Sequence, residues 1–213
     1  MASFYVLSDF NGTVTEEDML GVLTRSIPTR TPAIHTGTIK EWTLRERLQA
    51  QAASLTLTME EAESILDRSL AIDPTFHDFV NFCRGHATPL LVVSSGITSL
   101  IAGFLERHGI DNLSVIANET EYLPTGWRLR FQDDSPSGNA KTPYVIRAQE
   151  QGYHAILIGD DESDFDASLV ADERFAKQGS VLARFLADRD LTYQPFSQFA
   201  EIQASIAARL STE

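Results

Sequence analysis

The chain has 213 residues, 43% of them hydrophobic and 22% charged, enough for one domain with an insertion and a core that needs no disulfides. Its formal net charge of −13 argues against a basic nucleic-acid surface, and one cysteine, Cys83, excludes an internal disulfide. We expect no secretory signal, because the first residues have no basic region followed by an apolar stretch and a small-residue cleavage site. No apolar run approaches the roughly 20 residues that cross a bilayer. We therefore expect a cytoplasmic protein without nucleic-acid or membrane partners.

The first part of the chain predicts one buried strand and then helices. The apolar run from Phe4 to Asp9 ends at Asn11-Gly12, which is typical of a strand entering a turn. Thr58-Met59-Glu60-Glu61 matches a capping box at the start of a helix. The predicted helical stretches are residues 15–26, 38–75 and 73–84, with chain breaks at Pro28 and Pro32.

From residue 90 onward, predicted strands alternate with helices. The strands are predicted at 90–93, 113–117, 155–158 and 174–176, a hairpin at 121–131, and helices at 97–108, 141–151 and 196–210. This alternation predicts an α/β fold, a Rossmann-like three-layer core with a parallel sheet. The earlier helical block interrupts this alternation after the first strand, so we predict a core of residues 1–14 and 88–213 with a helical cap of residues 15–87.

Three polar clusters follow predicted strands, at Asp9, Ser94 and Asp160. Ligands of open parallel sheets bind at the carboxyl ends of the strands, so these clusters are expected to meet. Each cluster alone is as well explained by a turn or a helix cap, because both favour the same residue types. Their order along the chain is what points to a common site.

That order resembles the haloacid dehalogenase superfamily, whose four motifs appear in sequence. They are Asp9-Phe10-Asn11-Gly12-Thr13, then Ser94, then Lys141, then Gly159-Asp160 with Asp164. The small helical insertion after the first motif is similar to the phosphoserine phosphatase-like branch. Residues 141–164 and the tail around Tyr193-Gln194-Pro195-Phe196 look most like the methionine-salvage phosphatases, which act on 2-hydroxy-3-keto-5-methylthiopentenyl 1-phosphate.

The resemblance implies a Mg²⁺-dependent phosphatase of a small phosphorylated metabolite that works through an aspartyl-phosphate. Asp9 would attack phosphorus, and Lys141 would neutralise the charge that builds there. Asp9, Asn11 and Asp160 would hold Mg²⁺, with Asp164 orienting the waters of the metal. The implied phosphate- and substrate-binding residues are Ser94, Ser95 and Gly96, at a helix N-terminus, and Asp18.

Several assignments stay open at this point. Asp18 is equally well explained as a favourable charge in the first turn of a helix. Arg45 and Arg47, in the predicted cap, either steer an anionic substrate or are solvated side chains on a helix surface. A homodimer is compatible with the sequence.

Position 11 departs from the family pattern, which has an aspartate where this chain has Asn11. The aspartate would protonate the leaving alkoxide, and such general acid–base help is worth about 10²–10⁴ in rate. Three explanations are open: an engineered replacement, a substrate whose leaving group needs little protonation, or a protein that binds phosphorylated ligands without turnover. We therefore predict a phosphatase whose turnover is impaired or altered. The alternatives are a phosphoserine phosphatase and a non-catalytic phosphometabolite-binding protein.

Overall fold

The computed structural model describes residues 3–27 and 42–211. A sheet of seven strands has the order β4-β3-β2-β1-β5-β6-β7, and all neighbours are parallel except β3 and β4. The strands are β1 (Phe4–Ser8), β2 (Leu90–Ile97), β3 (Ser114–Glu121), β4 (Arg128–Arg130), β5 (His154–Gly159), β6 (Glu173–Lys177) and β7 (Gln194–Phe196).

Helices cover both faces of this sheet. They are α1 (Met19–Ser26), α2 (Leu44–Ser54), α3 (Met59–Ser69), α4 (Phe76–Gly85), α5 (Thr98–Arg107), α6 (Thr142–Glu150), α7 (Phe165–Val170), α8 (Val181–Ala187) and α9 (Phe199–Leu210). Phe104 of α5 and Phe199 of α9 are buried on one face, and Val145 of α6 and Ala167 of α7 on the other. The predicted α/β fold with a three-layer, Rossmann-like core is confirmed.

At the centre of the sheet, the end of β1 lies between β2 and β5. Ser8, the last residue of β1, lies opposite Val92 of β2 and Ile158 of β5. The backbone N–H of Asp9 then donates to the carbonyl of Ile158, with an N–O distance of 2.9 Å. The residue after β1 is therefore held against the end of β5.

Helix α1 packs on α2 and on α3. The chain enters this helical group after Thr15 and leaves it at Ile72, and these two residues form an antiparallel bridge. The indole N–H of Trp127 ties the β3–β4 hairpin to this helical group by donating to the carbonyl of Leu57, at 2.8 Å. Helix α4 instead packs on α9, where the rings of Phe76 and Phe199 lie 4.7 Å apart. The predicted division into residues 15–87 and the remainder stays a prediction.

Most predicted elements are present with shifted ends. The capping box at Thr58 is confirmed, since its hydroxyl accepts from the N–H of Glu61 and the Glu61 carboxylate accepts in return. Strand β2 continues to Ile97, so α5 begins only at Thr98, and the predicted helical stretch 38–75 is divided into α2 and α3 within the described residues. The sequence interpretation missed α7, α8 and β7. The predicted breaks at Pro28 and Pro32 lie outside the described residues.

Among the helices of the described ranges, none combines the length and the apolar character needed to cross a membrane.

Candidate active site

Asp9 is a buried carboxylate at the carboxyl end of β1, and 3% of its surface is exposed. Its Oδ1 accepts from the N–H of Phe10 at 2.5 Å, and its Oδ2 lies 2.8 Å from the ammonium nitrogen of Lys141. These two contacts fix the orientation of the carboxylate. Asp9 is thus held with its charge partly balanced, as a nucleophile toward a phosphate dianion would need to be.

Lys141 lies just before α6 and has three partners for its ammonium group. Besides Asp9, the ammonium lies 2.5 Å from Asp164 Oδ1 and donates to Ser163 Oγ at 2.8 Å. Burial by itself lowers the pKa of Lys141, but the facing carboxylates of Asp164 and Asp9 outweigh it and raise the pKa above its ordinary value. The ammonium therefore stays charged at the pH values at which a phosphatase works.

The loop after β5 is organised around Asp164, which is fully buried. Its Oδ2 accepts from the backbone N–H groups of Asp160 and Asp161, at 2.9 and 3.2 Å. Thr13 donates its hydroxyl to Asp160 Oδ1 at 2.7 Å. This approach needs a glycine at position 12, because a Cβ there would lie 2.3 Å from Asp160 Oδ2 and because φ is +79°.

Oxygen atoms of Asp9, Asp160 and Asp164 lie within 4.8 Å of one another. Burial and then the charge of Asp9 raise the pKa of Asp160 to about 8, and burial raises the pKa of Asp164 to about 7 despite the facing Lys141. Three carboxylates thus lie in a small volume, and two of them, Asp9 and Asp164, contact the ammonium of Lys141. Hard divalent cations such as Mg²⁺ prefer this all-oxygen donor set, and their charge would relieve the repulsion.

The side chain of Asn11 is directed toward the cap helix that begins at residue 19. Its Oδ1 accepts from the N–H of Met19 at 3.2 Å. Its amide nitrogen is so close to Gly96 that a Cβ there would lie 2.7 Å from it. Asn11 therefore joins the end of β1 to α1 and to the serine-rich end of β2.

Ser94 and Ser95 belong to β2 and do not lie in the first turn of α5. Ser94 Oγ accepts from the N–H of Gly96 at 3.1 Å, and the buried hydroxyl of Ser95 has no hydrogen-bond partner within the described residues. The side-chain amides of two buried asparagines hold this segment. Asn139 donates to the carbonyl of Ser94 at 2.8 Å, and Asn118 to that of Ser95 at 2.7 Å.

A cavity of about 550 Å³ opens between the strand ends and the cap helices. Of the residues predicted for the site, it is lined by Asp9, Asn11, Asp18, Ser94, Ser95, Gly96 and Asp160. Lys141 and Asp164 lie beneath it, in contact with Asp9 or with the loop of Asp160. The structure therefore brings the predicted set together around one cavity.

Asp18 is the N-cap of α1, and its Oδ1 accepts from the N–H of Gly21 at 2.6 Å. Burial raises the pKa of Asp18 to about 6 despite that hydrogen bond. Asp18 therefore caps α1, just before its first turn, and it also lines the cavity, while the substrate contact implied by the family resemblance stays a prediction.

The two cap arginines have different surroundings. Arg45 donates to the carbonyl of Asp133 at 2.8 Å, pairs with Asp134 at 2.9 Å and lies over the ring of Phe131. Arg47 lines the cavity and forms an ion pair with Glu162.

Four residues of the site were assigned no role from the sequence: Thr13, Asn118, Asn139 and Ser163. The roles of Thr13 and Ser163, inside motifs already noted, could have been proposed from their hydroxyl groups. Asn118 was detectable only as a polar residue directly following the predicted strand 113–117. Asn139 gave no signal, because its partner Ser94 is 45 residues away in sequence.

Residues 6–168 match the family model of the haloacid dehalogenase-like hydrolases. The chain belongs to this family, which confirms the identification made from the four motifs, and it is a phosphoric monoester hydrolase.

The chain is also similar to three proteins that have different names. The chain is 26% identical to polyol phosphate phosphatase PYP1 of Saccharomyces cerevisiae, over 100% of this chain and 96% of the relative. It is 27% identical to Pdp3-interacting factor 1 of Schizosaccharomyces pombe, over 95% and 94%. It is 25% identical to 2-hydroxy-3-keto-5-methylthiopentenyl-1-phosphate phosphatase of Lysinibacillus sphaericus, over 91% and 90%.

Among solved structures, a phosphoserine phosphatase with a phospho-aspartyl intermediate analogue is similar in fold. The TM-score is 0.73 at 16% identity, and the match covers 96% of this chain and 99% of that one.

Proposed function

We propose that this chain is a Mg²⁺-dependent phosphatase of a small phosphorylated metabolite, with Asp9 as nucleophile. The observation that carries the proposal is the contact of Asp9 with Lys141, beside the carboxylates of Asp160 and Asp164. A phosphatase needs this combination, because a carboxylate can approach a phosphate dianion only where positive charge offsets their repulsion. A protein that merely binds phosphate would not need a buried nucleophile.

In the proposed reaction, a carboxylate oxygen of Asp9 forms a bond to phosphorus as the bond between phosphorus and the ester oxygen breaks. The alcohol departs as an alkoxide that must gain a proton, and water then cleaves the aspartyl-phosphate to free Asp9 and inorganic phosphate. Lys141 would offset charge on the phosphoryl oxygens, and Ser94 and the N–H of Ser95 would bind them.

Mg²⁺ would be held by the side chains of Asp9 and Asp160 and the backbone carbonyl of Asn11, with Asp164 acting through metal-bound water. When bound, the ion would screen the negative charge of phosphate and carboxylate as they approach. Asp164 fits the indirect role, because its two oxygens already contact Lys141 and the loop N–H groups of Asp160 and Asp161.

Asn11 limits this reaction at the departure of the alcohol. Its amide can donate a hydrogen bond but cannot transfer a proton, so alkyl esters are expected to react slowly and esters with stable leaving groups to be affected little. Asn11 is also the observation that supports the alternative of a phosphometabolite-binding protein without turnover.

For the substrate, two relatives suggest esters of neutral, hydroxyl-bearing alcohols. One is named for polyol phosphates and the other for the methionine-salvage ester 2-hydroxy-3-keto-5-methylthiopentenyl 1-phosphate. We propose a substrate of this kind, with methionine salvage as one pathway to test and the cytoplasm as the location. The cavity of about 550 Å³ is large enough for either ester.

The proposal is tested by phosphate release from p-nitrophenyl phosphate. Asp9→Asn should lower the rate at least about 10³-fold, because a carboxamide does not form the acyl-phosphate. Chelation of Mg²⁺ should lower it to a similar extent, and Asp78→Asn, at an exposed acid outside the cavity, serves as control. Substantial turnover by Asp9→Asn or without metal would refute the mechanism.

A further inference from the structure

The part of the cavity beyond the Asp9 cluster is strongly acidic. The additional carboxylates that line it are Glu16, Glu17, Asp18, Asp161 and Glu162. Within the described ranges, the basic residue lining the same cavity is Arg47. The alcohol of a bound phosphate ester would extend into these surroundings, so their charge decides which alcohols are accepted.

The guanidinium of Arg47 already has two partners in the protein. It donates to the carbonyl of Trp42 at 2.7 Å and forms an ion pair with Glu162. Glu162 opens the short 3₁₀ helix Glu162–Asp164 that follows Asp160. The pair therefore joins cap helix α2 to the loop that carries the proposed metal ligand.

This ion pair can exchange partners. The side chains of Arg47 and Glu162 are 32% and 47% exposed, and pairs with this exposure contribute little to stability because water solvates both charges well. An arginine freed from its acid would keep a planar set of donors that suits a carboxylate.

We propose that Glu162 determines which alcohols the site accepts, by occupying Arg47 and thereby excluding phosphate esters whose alcohol carries a carboxylate. Such a carboxylate would lie among Glu16, Asp18 and Asp161, where residues 3–27 and 42–211 offer no free cation, and both repulsion and lost hydration oppose that. Hydroxyl groups would instead donate hydrogen bonds to these acids. The inference rests on the proposed phosphatase function for the placement of the ester.

The test uses two esters that differ at one carbon, glycerol 3-phosphate and 3-phosphoglycerate, in the presence of Mg²⁺. Calorimetry gives the dissociation constant of each ester, so the result does not depend on turnover. The unchanged chain should bind glycerol 3-phosphate more tightly. Glu162→Gln should shift the ratio of the two constants toward 3-phosphoglycerate by about fivefold, the order of magnitude of a partly exposed ion pair.

Two further variants make the result specific. In the double variant, Glu162→Gln together with Arg47→Gln, the shift toward 3-phosphoglycerate should be absent, because the cation that would bind its carboxylate has been removed. Asp134→Asn frees Arg45 in the same way outside the cavity, and it should leave the ratio unchanged.

An unchanged ratio in Glu162→Gln would overturn the inference, and so would a gain that persists without Arg47. Failure of every variant to bind either ester would overturn it as well, since a site that selects between two esters must bind one. If the binding ratios follow the expectation but no variant releases phosphate from p-nitrophenyl phosphate, the proposed function fails while the specificity determinant stands.

Discussion

The two sides of the cavity are built differently. On the sheet side, Lys141 and Asp164 have side chains that are 1% and 0% exposed and contact each other directly. On the cap side, the paired Arg47 and Glu162 are 32% and 47% exposed. Buried charges are costly to leave unpaired, whereas exposed pairs are not. The buried charges of the sheet side are thus held in place, as the proposed reaction requires, whereas the exposed pair of the cap side is the part that we propose selects the substrate.

The largest loss of stability is expected at Lys141, on the sheet side. In Lys141→Met, the carboxylates of Asp9 and Asp164 lose the cation that compensates them, and the free energy of unfolding should fall by about 3–5 kcal/mol. Urea unfolding followed by circular dichroism measures this fall.

Lys177 offers a matched control for that variant. Its side chain is 25% exposed, its ammonium lies 4.0 Å from Asp73, and it donates to the carbonyl of Thr13 at 3.2 Å. Because water still reaches this charge and the ion pair is long, Lys177→Met should cost less than Lys141→Met, about 1 kcal/mol. Equal losses for Lys177→Met and Lys141→Met would contradict the distinction between a fully buried and a partly exposed charge.

Asp18 lies at the boundary between the two sides, and its raised pKa should make the stability of the protein depend on pH. Its pKa is about 6 in the folded protein against an ordinary value of 3.8, so the folded state binds more protons than the unfolded state between about pH 4 and 6. The contribution of Asp18 to stability therefore falls as pH rises through that window, and above it the deficit is constant.

Asp18→Asn keeps an N-cap of equal quality while removing the charge. The variant should match the parent below pH 4 and exceed its free energy of unfolding by an amount on the order of 1 kcal/mol above pH 6. Thermal unfolding measured across pH checks this, with Asp78→Asn as an exposed control. A constant difference across all pH values would show that Asp18 is not desolvated.

Sequence reasoning predicted the sheet side well, because its rules are local. An apolar run followed by a turn marks the ends of β1 and β5, and the geometry of parallel sheets then places Asp9 beside Asp160. The position of Lys141 came from the resemblance to the family. The missed strand β7 has three residues and contains Pro195, which departs from any strand pattern.

The cap side was harder to predict, because its contacts join residues far apart in sequence. Arg45 and Arg47 lie on the same helix and have the same chemistry, so their sequence gives no reason to separate them. The partner of Arg45 is 89 residues away and that of Arg47 is 115 residues away, and only the folded chain distinguishes a hairpin contact from a cavity contact.

We propose that the chain is a phosphatase in which Asn11, unlike an aspartic acid, cannot protonate the departing alcohol. This claim is tested most directly by comparing Asn11→Asp with the unchanged chain, with Mg²⁺, on an alkyl phosphate and on p-nitrophenyl phosphate. Restoring the acid should raise turnover of the alkyl ester by about 10²–10⁴ and that of p-nitrophenyl phosphate much less, because p-nitrophenolate leaves without a proton. Equal rates for both proteins on the alkyl ester would contradict the claim.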